Sequence, residues 1–227
     1  MEKKTFCRLN RTLAFGLAFF LFLGITPCIA QQGSSPRPSL AKEKIGLMPF
    51  FKGSYGASIT ETLVCPVCQL YYDPEVLTPD CDKVLTQYFQ QALEQKYGDL
   101  VIPQALVAKA YDEIHPDDLR DTPLLLSQKV GKLLGTKFMA VGSVWRYRDR
   151  VGSARAASSP ASVAFALHLI EVATGKILWS KSFVQTQRSL SENILNAKAF
   201  FDQGAKWITA DELASYGVKE ILKDFPY

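Results

Sequence analysis

Residues 161–172 (ASVAFALHLIEV) constrain the fold more than any other stretch of the chain. In an extended backbone, Val163, Phe165, Leu167 and Leu169 fall on one side, and Ala164, Ala166, His168 and Ile170 fall on the other. A strand that is apolar on both sides cannot face water on either, so the pattern calls for a sheet covered by helices on both faces. Thr174-Gly175 then makes a tight turn into residues 177–187 (ILWSKSFVQTQ), which pairs the two runs as a hairpin. Upstream, residues 137–148 (KFMAVGSVWRYR) read as a third strand, giving an antiparallel meander.

The preceding residues alternate strand and helix signals. Residues 44–50 (KIGLMPF) read as a short buried strand. Val84, Leu85, Tyr88, Phe89, Ala92 and Leu93 recur at helical spacing over 79–97. Thr78 is placed to cap that helix, with Pro79 at its first position and Gly98 ending it. DLVIP (99–103) reads as a brief strand, QALVAKAYDEI (104–114) as a helix, and Thr122-Pro123 opens another helix that runs through Leu134 to Gly135. After the meander, capping boxes at Ser189/Glu192 and Thr209/Glu212 open two closing helices. The expected fold is α/β of the mixed α+β kind: a single domain, residues 44–227, with about five strands in a mixed sheet, a C-terminal antiparallel meander, and helices packed on it. The hydrophobic share of 48% is enough for such a core.

The N-terminus sets the compartment. Lys3, Lys4, Arg8 and Arg11 precede an uncharged apolar run, Leu13 to Ile25. That run is shorter than the about 20 residues a bilayer span needs, and its order of basic, apolar and small residues is that of a secretory signal over residues 1–30. Cleavage after Cys28-Ile29-Ala30 would leave Gln31 at the N-terminus; the competing reading lipidates Cys28, where Pro27 stands in a position that favours a small residue. Residues 31–43, beginning QQGSSPRPS, form a flexible tether. The leader carries +3 of the chain's net +4, so the basic balance belongs to the export signal and gives no support for nucleic-acid binding. The chain is therefore expected to be exported to the periplasm of a bacterial envelope, free or lipid-anchored.

Past the leader the cysteines cluster in one long loop, 51–80: Cys65 and Cys68 form a C-x-x-C pair, and Cys81 follows it. Three readings stand. In an oxidising compartment two of the three form a disulfide, and a link to Cys81 would stabilise the loop by about 3 kcal/mol. A zinc site would take Cys65, Cys68 and Cys81 with His115 as the fourth ligand. Thiol exchange is opposed by Asp80 and Asp82, which flank Cys81, and by the absence of a helix opening at the C-x-x-C. Gln69 stands where a haem-attachment motif needs His. The disulfide is the favoured reading, with its pairing open. His168, among Ala and Ile, reads as a satisfied core histidine, and His115 as an exposed loop residue. The sequence contains no nucleophile elbow, P-loop or dinucleotide fingerprint, so neither a catalytic residue nor a cofactor is assigned. In VWRYRDR, strict alternation puts Arg146, Arg148 and Arg150 on one face and Trp145 and Tyr147 on the other, a candidate surface for an envelope protein, an anionic envelope polymer or lipid head groups.

IGLMPF, GTKFMAVGSVWRYRDR and VAFALHLIEVATGKILWSKSF, in this order, resemble a group of bacterial envelope proteins. That group shares a fold with the TolB amino-terminal domain, the curli secretion lipoprotein CsgG and the LpoB activator of penicillin-binding proteins. SLSENIL and KWITADELASYGVKEILKDFP extend the resemblance to uncharacterised bacterial lipoproteins. The resemblance implies a non-enzymatic interaction or assembly module at the envelope or outer membrane. A pore subunit is not expected, because residues 151–160 cannot supply two membrane-spanning strands of about 9–11 residues each.

Overall fold

The computed structural model describes residues 43–53, 63–65, 67–68, 71–72, 76–116, 121–187 and 206–226, all within one compact unit, Pro38–Tyr227. The leader, Cys28, the tether and the helix expected from Ser189 lie outside these residues.

Three long strands form the centre: β5 (Phe138–Arg148), β8 (Ser162–Glu171) and β9 (Ile177–Thr186). They pair antiparallel in the order β5-β8-β9. Two short strands, β1 (Ile45–Leu47) and β2 (Phe51–Lys52), run parallel to β5 on its other edge, with Ile45 opposite Phe138 and Phe51 opposite Ser143. The result is the expected five-stranded mixed sheet. Every residue of β8 from Ser162 to Ile170 is buried.

Helices cover both faces, as the doubly apolar β8 requires. On one face, α1 (Cys81–Tyr97) and the last helix, α4 (Ala210–Lys223), pack Leu85, Phe89, Leu93, Leu213 and Ile221 against Val163, Phe165, Leu167 and Leu169. On the other, α2 (Gln104–Ile114) and α3 (Pro123–Leu133) bring Val107, Ala110, Leu126 and Val130 onto Met139, Val141 and Ile170. Gly142 makes the first face possible at its tightest point. A Cβ there would sit 2.2 Å from the Phe50 ring.

Local signals hold where side chains act locally. Thr122 Oγ1 accepts the Leu125 amide, and Thr209 with Glu212 closes a complete capping box. Three expectations are corrected. Thr78 does not cap α1: its hydroxyl donates to Tyr147 O, because Leu77 bridges to Tyr147 and draws the segment onto the sheet. The helix starts instead after Asp80, a left-handed residue at φ 59°. DLVIP is a 3-10 turn over Gly98–Leu100 followed by a single bridge from Val101 to Ile45. The 51–80 segment is not a plain loop, since it contains β2 and a small antiparallel hairpin of β3 (Leu63–Val64) and β4 (Tyr71–Tyr72). Residues 151–160 form a second small hairpin, β6 (Val151–Gly152) with β7 (Ala157–Ser159). Among the described residues no helix is long and apolar enough to cross a membrane.

Candidate functional site

The β3–β4 hairpin lays the C-x-x-C turn against the α2/α3 face of the sheet. Val67, 5% exposed, anchors it among Met48, Phe51 and Met139, and Cys65 is buried at 3%. The sheet below supplies two polar side chains. His168 on β8 lies on the same face as Ala164 and Ala166, and Ser143 on β5 is a diagonal neighbour.

These residues meet through sulfur. Cys65 Sγ lies 3.6 Å from His168 Nε2 and 3.6 Å from Ser143 Oγ, and it accepts the Cys68 backbone N–H at 3.4 Å. The ligand atoms of Cys65, Cys68 and His168 all lie within 4.8 Å of one another. The far side of the imidazole is also fixed. Nδ1 is hydrogen-bonded to Ser180 Oγ at 2.8 Å, because Ser180 on β9 stands directly opposite His168. Burial pushes the Cys65 thiol up, but hydrogen bonds from His168, the Cys68 amide and Ser143 outweigh it and bring the thiol down to about 6.

Cys81 is elsewhere. It is buried in the first turn of α1 within the core on the opposite face, with Leu85 and Phe89. Burial first, and then the Asp82 carboxylate, push its thiol up to about 11. His115 ends α2 in a left-handed conformation at φ 50° and is exposed. The structure therefore does not assemble Cys65, Cys68, Cys81 and His115. It replaces the last two with His168, a residue that the sequence reading assigned to the core. Cys65 and Cys81 are free thiols.

The arginine stripe is also rearranged. A β-bulge between Val144 and Arg146 breaks the alternation on which it rested. Trp145 is buried with Ala164 and Ala166 on one face. Tyr147 enters the core on the other and donates its hydroxyl to Asp211 at 2.5 Å. Arg146, Arg148 and Arg150 are half-buried, and Arg150 Nη1 donates to Trp207 O at 2.9 Å. The two aromatics are core residues and offer no surface.

A groove of about 370 Å³ opens beside α1, lined by Pro49, Asp82, Thr86, Gln87, Gln90 and Gln104 among others. Thr86 is committed: its hydroxyl accepts the Phe50 amide and donates to Asp82 O. Gln90, 6% exposed, donates through Nε2 to Glu94 and to Ile102 O, which fixes the amide and leaves Oε1 buried without a partner. Gln104 Oε1 is a second such acceptor. Sequence reading missed this groove, because Gln87, Gln90 and Gln91 on α1 look like a solvated face.

No family model matches the chain, and no curated protein matches it in sequence. Several solved structures are similar. PelC from Paraburkholderia phytofirmans, a dodecamer, is 14% identical over 83% of this chain and 91% of its own, with a TM-score of 0.46. The lipoprotein GNA1162 from Neisseria meningitidis is 15% identical over 72% and 98%, with a TM-score of 0.41. The LpoB C-terminal domain from Salmonella enterica is 14% identical over 64% and 84%, with a TM-score of 0.37. LpoB is thus named by both the sequence resemblance and the structural likeness. At these values the likenesses assign neither activity nor partner.

Proposed function

We propose that this chain is an exported envelope protein that binds a partner protein and performs no turnover. The compartment rests on the signal character of residues 1–30. The absence of turnover is supported by the burial of the one thiol–imidazole pair found among the described residues: Cys65 is 3% and His168 0% exposed.

The observation that carries the binding reading is the α1 groove, lined by the side-chain amides of Gln87, Gln90 and Gln104. Acceptor oxygens take N–H or O–H groups and disfavour anions. The groove therefore suits a polypeptide segment of an envelope protein better than an anionic polymer. The half-buried Arg146, Arg148 and Arg150 stay a secondary surface for acidic groups.

The test is site-specific photo-crosslinking of the full-length chain in its native envelope. A probe at the exposed Gln87 should give a discrete protein adduct that a probe at the exposed Lys132, on α3 across the sheet, does not give. Identical adducts from both positions, no adduct from Gln87, or a chain retained in the cytosol with residues 1–30 attached would overturn the reading.

A further inference from the structure

We propose that Cys65, Cys68 and His168 hold a zinc ion, with a fourth position left for water or an exogenous donor. The inference stands apart from the groove and does not need a partner protein.

Geometry is the first support. Zn–S bonds of about 2.3 Å and Zn–N bonds of about 2.0–2.1 Å in a tetrahedral site put neighbouring ligand atoms about 3.6 Å apart. Cys65 Sγ and His168 Nε2 are 3.6 Å apart. The C-x-x-C turn brings the second sulfur into the same cluster, within 4.8 Å of both.

The surroundings are those of a ligand set. When a metal displaces the Nε2 proton, the remaining ring proton sits on Nδ1 and donates to Ser180 Oγ, the role an outer hydrogen bond plays at metal-bound histidines. The Cys68 amide donates to Cys65 Sγ and stabilises the thiolate that a metal requires. Two thiolates and an imidazole are a soft donor set, which selects zinc over magnesium or calcium. His168 sits on the central β8, paired on both sides, so one ligand is held rigidly while the hairpin brings the other two.

The competing state is a Cys65–Cys68 disulfide. It would leave His168 Nε2 facing a disulfide sulfur, a weak acceptor, while the imidazole itself is fully buried. An imidazole nitrogen stranded there costs free energy that a metal bond removes. The structure thus favours the metal over the crosslink expected from the sequence.

The experiment is metal analysis of the full-length chain purified in reductant and loaded with zinc or cobalt(II). We expect one ion per chain by atomic emission, and a thiolate-to-cobalt charge-transfer band in the near ultraviolet. Cys81→Ser should leave both unchanged. Cys68→Ser should weaken the band by about half or abolish it, and Ser180→Ala should lower affinity about tenfold or more. His168→Gln should lose the tetrahedral cobalt spectrum. If that variant unfolds, Cys68→Ser and Ser180→Ala decide the question, since their side chains are half-buried and exposed. A chain that takes up no metal, that keeps its ion in the Cys65→Ser/Cys68→Ser double variant, or whose cobalt spectrum is indifferent to Ser180→Ala and Cys68→Ser would overturn the assignment.

Discussion

Cys81 and Cys65 are almost equally buried, at 1% and 3% exposure, on opposite faces of the same sheet. One thiol is pushed up to about 11 and the other brought down to about 6. Burial raises both. What separates them is the company: hydrocarbon and a carboxylate around Cys81, hydrogen-bonding partners around Cys65. The comparison extends to the faces themselves. The α1/α4 face is a dense aromatic core, with Phe89 stacked on Phe50 at 5.1 Å and edge-on to Phe165 at 5.8 Å. The α2/α3 face gives up part of its packing to a polar cluster under a small hairpin. One face is an aromatic core, and the other combines an aliphatic core with the polar cluster.

Truncation at the aromatic face gives the largest expected effect. Phe89→Ala should destabilise by about 3–5 kcal/mol in urea denaturation, whereas Ser143→Ala on the other face should cost about 1 kcal/mol. Equal losses would break the contrast between the faces. Overpacking sharpens the comparison: Gly142→Ala drives a methyl into the Phe50 ring and should cost about 1–3 kcal/mol.

Smaller effects lie at the rim of the aromatic face. Thr209→Ala removes one half of the α4 capping box and should cost about 1 kcal/mol. Its partner Glu212 has its carboxyl held below the ordinary range by Lys206 and then by the Thr209 amide. A depressed carboxyl contributes stability above its unfolded pKa and loses it as pH falls through the folded one. The stability gap between the parent chain and Glu212→Gln should therefore shrink as the pH drops from neutral into the acid range. A gap that grows on acidification would contradict the cap.

The sequence made some of this legible. The double-sided apolar pattern of 161–172 required helices on both faces, and both faces have them. The caps at Thr122 and Thr209 were legible because each is settled within four residues. The bulge at Trp145 was not, since no Gly or Pro marks it and only the pairing of β5 with β8 creates it. Nor was the start of α1, where a tertiary bridge at Leu77 takes the Thr78 hydroxyl away. The metal set was half legible. C-x-x-C announces itself, but His168 is 103 residues from Cys65 and no local spacing links them. The available signal was chemical: the one polar residue between Val163 and Ile170, flanked on its own face by Ala164, Ala166 and Ile170. The core reading of His168 holds, since it is 0% exposed and bonded to Ser180, but its nearness to the two thiols was not legible.

The central claim is that the sheet separates Cys81 from Cys65 and Cys68. Oxidation of the metal-stripped, folded chain followed by peptide mapping tests it most directly. The structure predicts a single Cys65–Cys68 link and an intact Cys81 thiol. A link from Cys81 to either of the other two would place all three on one side of the sheet and contradict the account.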